Sequence, residues 1–113
     1  MNEIIAIIQP HALTKVMHAM YELPHFPGVT VADVHGQGRG RGEGGSFQPT
    51  VDNFTFQKKT QLTIACEASH TNEVVKTITQ FAQTGNKGDG LITVKELTGA
   101  VRIRTGENAG QAV

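Results

Sequence analysis

The chain has one cysteine, Cys66, no tryptophan and one tyrosine, Tyr21. A lone cysteine excludes an intrachain disulfide and agrees with a reducing compartment. It also excludes the paired-cysteine spacings of zinc sites. Hydrophobic residues are only 38% of the 113. That is a lean supply for one core, so subunit association is a natural supplement. Net charge is absent, because ten Lys and Arg balance ten Asp and Glu. Generic binders of nucleic acid or anionic membrane are basic, so neither partner is expected and any anion site has to be local. No apolar run approaches the roughly 20 residues of a membrane span. Met1-Asn2-Glu3 lacks the basic n-region of a signal peptide. The expectation is a cytoplasmic protein with residues 1–113 as a single domain.

What is present alternates between strand and helix patterns. Ile4-Ile5-Ala6-Ile7-Ile8 reads as a strand buried on both faces, or as a central one, ended by Pro10. Leu13, Val16, Met17 and Met20 fall on one helical face, and Pro24 and Pro27-Gly28 stop that helix. A second strand covers residues 29–34. A third covers 59–66, with Leu62, Ile64 and Cys66 alternating against Gln61, Thr63 and Ala65. Ser69 or Thr71 is the candidate cap of a second helix, with Val74, Val75, Ile78, Phe81 and Ala82 as its apolar face. Gly85 is placed to end it as the C′ residue. Residues 91–94 make a fourth strand. The order β-α-β-loop-β-α-β predicts an α+β, ferredoxin-like sandwich: one antiparallel four-stranded sheet with both helices on one face. The other sheet face needs a cover, either water on Gln61, Thr63, Thr30 and Thr93 or a second subunit.

Glycine is abundant, and it is concentrated. Six glycines lie between His35 and Ser46, too many for a regular element. Gly40, Gly42 and Gly45 satisfy G-x-G-x-x-G by spacing, but no helix follows, so a dinucleotide fingerprint is not supported. Arg39 and Arg41 make one short Arg-Gly repeat, weak support for RNA in a neutral chain. A second glycine cluster, Thr84-Gly85-Asn86-Lys87-Gly88-Asp89-Gly90, surrounds an acid. It has two readings, a helix end with tight turns or a phosphate-cradling loop of backbone N–H groups. Val101-Arg102-Ile103-Arg104 reads as a strand with Val101 and Ile103 toward a core and both arginines on the other face. Two guanidiniums on one face suit a polyphosphate, although exposed arginines are more often solvated or ion-paired.

Taken together, Thr-Gly-Asn-Lys-Gly-Asp-Gly and then Val-Arg-Ile-Arg-Thr-Gly-Glu resemble the C-terminal signature of the PII signal-transduction proteins, and the resemblance runs through the whole chain. It implies a homotrimer of ferredoxin-like protomers that bind adenine nucleotides in clefts between subunits. It implies a long T-loop, about residues 37–56, between the second and third strands, which engages a target protein. Matched by motif, Gly38 and Arg39 fall at the T-loop base and Gly88, Asp89 and Gly90 in the phosphate loop. Arg102 and Arg104 fall on the phosphates and Thr30 near the adenine. Lys59 matches the lysine that meets the effector 2-oxoglutarate in typical members.

The chain also departs from the family pattern. Gln37 and Gly40 replace the phenylalanine and glutamine of Gly-Phe-Gly-Arg-Gln, and that glutamine ligates magnesium. Gly40 has no side chain to do so, which argues against magnesium and 2-oxoglutarate sensing in the usual way. Leu91 stands where a phosphate-binding lysine is usual, so ADP or AMP competes with ATP as the preferred ligand. Asp52 occupies the position of the uridylylated tyrosine. These features, with Pro-His-Phe-Pro-Gly at 24–28, resemble a divergent PII-like subgroup associated with heavy-metal efflux systems. The five histidines show no ligand spacing, and His11 and His18 are about 10 Å apart along a helix, so no metal residues are assigned.

The function expected is therefore a non-enzymatic regulator that reads adenine nucleotide and controls an unidentified target, a membrane transporter among the candidates. A metal-responsive protein is one alternative. A slow nucleotide phosphohydrolase is another, with Asp89 or Glu107 orienting water, but no paired general acid and base is evident.

Overall fold

The computed structural model describes residues 1–38, 56–108 and 112–113. The loop expected at 37–56 therefore lies almost wholly outside the described residues, and so does Arg39. Four strands are present: β1 (Asn2–Ile8), β2 (Thr30–Gly36), β3 (Gln57–Cys66) and β4 (Gly90–Glu96). Two helices, α1 (Leu13–Tyr21) and α2 (Thr71–Ala82), each follow a short 3-10 turn. The sheet is antiparallel with order β2-β3-β1-β4. This is the α+β, ferredoxin-like arrangement that the element order predicted.

The register explains the core. Ile4 pairs with Ile64 and Ala6 with Leu62, so one sheet face carries Ile4, Ala6, Ile8, Leu62, Ile64 and Cys66. Val16 and Met20 of α1 and Val74, Ile78 and Ala82 of α2 close on that face. Each fully buried aliphatic side chain contributes about 1.5–3 kcal/mol. β1 is central, but only its alternate residues are buried. Ile5 and Ile7 are half-buried on the face away from the helices, together with Gln61, Thr63 and Ala65. Of the two readings of this run the central strand holds and burial on both faces does not: an apolar run marks a central strand without saying what covers its second face.

Neither Ser69 nor Thr71 caps α2. His70 holds the N-cap position with helical backbone angles, because the 3-10 turn Ala68–His70 has already begun the coil. The Thr71 hydroxyl instead donates to the Glu67 carbonyl (3.3 Å) and accepts from the Asn2 amide (2.9 Å), with the buried Cys66 Sγ 3.6 Å away. It fastens the start of β1 to the β3–α2 junction. Gly85 is not the C′ residue either. α2 stops at Ala82 because Gln83 turns extended (ψ 128°), and Gly85 (φ +86°) serves the following loop.

The largest correction concerns Val101-Arg102-Ile103-Arg104. These residues are not a strand over a core. The Arg102 N–H donates to the Glu107 carbonyl (2.8 Å) and the Gly106 N–H to the Arg102 carbonyl (2.7 Å), closing a hairpin with a bridge between Val101 and Asn108. Gly106 (φ +75°) supplies the reversal. Val101 and Ile103 are 62% and 98% exposed. Among the described residues no helix is long and apolar enough to cross a membrane.

Candidate functional site

Gly90 starts β4 beside Ile8, the last residue of β1, and the 84–90 loop hangs from that end of the sheet. Glycine is obligatory here. Gly90 has φ +114°, and a Cβ on it would lie 1.7 Å from the Ile7 carbonyl oxygen. A Cβ on Gly88 (φ +90°) would lie 3.0 Å from Gln9 Nε2. The loop backbone therefore lies close against the end of β1.

Two side chains hold the loop. Lys59, 9% exposed on β3, donates from Nζ to the Gly88 carbonyl at 2.5 Å. Asp89 Oδ2 accepts from the N–H groups of Thr84 (2.7 Å) and Gly85 (2.9 Å), and Oδ1 accepts from the Thr84 hydroxyl. The Thr84 hydroxyl bond and then the Thr84 N–H hold the Asp89 carboxyl below its ordinary pKa, so it is ionised at neutral pH. Among the described residues Lys59 has no carboxylate partner. A nearly buried ammonium with one carbonyl acceptor fits an anion brought to the loop.

Gly36 pairs with Gln57, so β2 delivers Gly38 to the same end of the sheet as Lys59 and Gly88. The structure thus groups Lys59, Gly88, Asp89 and Gly90, while Gly38 lies five residues beyond Asp33, which is level with Thr60, Ile8 and Gly90 across the sheet. Thr30, exposed on edge strand β2, pairs with Thr63 nearer the sheet's middle.

Arg102 and Arg104 do not join this group. β4 runs from Gly90 beside Ile8 to Glu96 beside Asn2. Six steps of about 3.4 Å carry the chain roughly 20 Å away. The Leu97 N–H then donates to the Met1 carbonyl at 2.9 Å. The arginine hairpin borders a hollow of about 370 Å³ lined by Ala65, Ala100 and Ala112 among others. Arg102 Nη2 donates to the Ala112 carbonyl at 2.6 Å. Glycine loop and arginines, neighbours in sequence, are at opposite ends of the chain's fold.

The sequence did not point to Gln9, beside Gly88, and it placed Thr84 in the loop without marking it as the main partner of Asp89. Thr84 carries a readable hint, a hydroxyl with two glycines around an acid. Gln9 required the strand register. Among the described residues no group of three or more His, Cys, Asp or Glu gathers as metal ligands. His25 and His70 are stacked with ring centres 4.3 Å apart.

The topology defines a ferredoxin-like α+β architecture, and comparison with known proteins gives the family. The pattern of the family described as "Nitrogen regulatory protein P-II" matches residues 1–107. The chain is 39% identical over 113 residues to nitrogen regulatory protein P-II 2 of Methanothermobacter thermautotrophicus, covering 100% of this chain and 97% of that one. It is 35% identical to nitrogen regulatory protein P-II of Rhodospirillum rubrum, with both chains fully covered over 113 residues. It is 34% identical over 107 residues to nitrogen regulatory protein GlnK of Escherichia coli, covering 95% of each. The chain belongs to the P-II family of nitrogen regulatory proteins.

Proposed function

We propose that this chain is a non-enzymatic regulator that binds an adenine nucleotide between subunits of a homotrimer and signals through the segment joining β2 to β3. In this reading Gly88, Gly90 and Lys59 of one copy, with Gly38 and Arg39, hold one side of the phosphates. Arg102 and Arg104 of the next copy close the other side, and Thr30 lies near the base. Lys59 is also the candidate contact for an acidic effector. The observation that carries the reading is the separation of roughly 20 Å between the glycine loop and the arginine hairpin. Each half is incomplete alone, and a neighbouring copy is the economical source of the missing one. Nucleotide phosphates would favour one arrangement of the β2–β3 segment, and a target would read that arrangement.

Isothermal titration with ATP, ADP and AMP tests this directly. The expected result is sub-millimolar binding of at least one nucleotide, with ADP or AMP rivalling ATP because Leu91 supplies no cation. Leu91 is 66% exposed beside the loop. The absence of sub-millimolar binding by all three would sink the proposal. 2-Oxoglutarate is expected to leave ATP affinity unchanged, since Gly40 has no side chain.

A further inference from the structure

We infer that Asp89 is a positioning residue, whose carboxylate braces the 84–90 loop from within instead of contacting the ligand. This rests on the nucleotide-binding reading above. Both carboxylate oxygens are already engaged by the loop's own first residues, Oδ2 by the N–H groups of Thr84 and Gly85 and Oδ1 by the Thr84 hydroxyl. The Asn86 N–H donates onto that hydroxyl oxygen (3.2 Å), which extends the brace by one residue. The acid therefore reaches back four and five residues and ties the loop's start to its end. Gly85 (φ +86°) and Gly88 (φ +90°) carry the reversal that makes this closure possible. Lys59 fixes the Gly88 carbonyl from the sheet side.

The chemistry of the ligand makes the assignment informative. A carboxylate facing a polyphosphate repels it, so a contacting Asp89 would oppose binding. A bracing Asp89 keeps its charge but turns it onto two amides and a hydroxyl of its own loop, so losing the brace outweighs the repulsion relieved. It leaves the backbone around Gly88, which Lys59 orients, to meet the anion. The two roles predict opposite signs for the same substitution. A third role, ligation of a divalent cation carried by the nucleotide, predicts an effect only when that cation is present.

The test uses the full chain carrying Asp89→Asn, titrated with ADP in magnesium and again in EDTA. Asparagine keeps the size, but its NH₂ cannot accept the bonds that one oxygen now accepts. The brace predicts about a tenfold loss of affinity in both buffers. Thr84→Val, which replaces only the hydroxyl by a methyl, shifts affinity in the same direction by less. Tighter binding by Asp89→Asn, unchanged binding, or a loss confined to magnesium each overturns the assignment. Nitrogen-15 spectra without nucleotide give an independent reading of the loop. The Thr84 and Gly85 amides exchange faster in Asp89→Asn, while amides of β1 and β3 keep their positions. Unmoved Thr84 and Gly85 amides also overturn it. Wild-type protein that binds no nucleotide defeats the functional reading instead, so the two failures are distinct.

Discussion

The 84–90 loop and the 101–108 hairpin are both short, glycine-bearing turns, set at opposite ends of one sheet and held by different means. The loop is fastened from outside and inside: Lys59 from β3, Asp89 across the turn, and Gly90 pressed against the Ile7 carbonyl. The hairpin is closed mainly by its own backbone bonds, with Arg102 to Ala112 as a tie beyond them. Its apolar residues Val101 and Ile103 are exposed. One region is braced by its own chain, whereas the other leaves Arg104 and two aliphatics exposed, with Arg102 turned to the Ala112 carbonyl. A shared site built from both would be finished only where copies meet.

The largest expected effect separates the two regions by stability. Gly90→Ala forces a Cβ into the Ile7 carbonyl at a positive φ, and about 3 kcal/mol or more of stability should be lost in urea denaturation. Gly106→Ala also meets a positive φ, but no atom lies within 4 Å of its Cβ position, so about 1 kcal/mol is expected. Equal losses would erase the distinction.

Next in size is binding. Arg102→Ala should weaken nucleotide affinity about tenfold or more, the scale of a lost charged hydrogen bond, while thermal unfolding of the chain stays near wild type. Ile103→Ser sharpens the same point at smaller cost. Because Ile103 is almost wholly exposed in the protomer, chain stability should change by no more than about 0.5 kcal/mol, and sedimentation should report weaker assembly. Loss of fold with intact assembly would contradict it.

The smallest effect is on pH. The Asp89 pKa is lowered, so its bracing contribution is complete above the ordinary carboxylate value and is lost as pH falls through the lowered one. Amide exchange at Thr84 and Gly85 should rise only in that acidic window. A rise beginning near neutrality would point to a different group.

Much of the fold was legible because burial follows period. The alternation in β3 and the helical spacing of Val16, Met20, Val74 and Ile78 each marked the face that is buried. The Gly88-Asp89-Gly90 turn was legible too, since positive φ selects glycine. The arginine segment was misread because period two over four residues describes a hairpin arm as well as a strand. The separation of loop and arginines was hidden because nearness in sequence ignores the length of β4. The Lys59 contact with Gly88 joins residues 29 apart and follows from register alone.

The central claim is that one site takes its two phosphate-binding halves from different copies. Mixing chains carrying Lys59→Ala with chains carrying Arg102→Ala tests it most directly, at a nucleotide concentration that leaves each parent assembly empty. Random co-assembly should restore about one quarter of the wild-type sites, those pairing an intact loop with an intact neighbouring hairpin. No restored binding in mixed assemblies would mean that both halves belong to one chain, and would contradict the account.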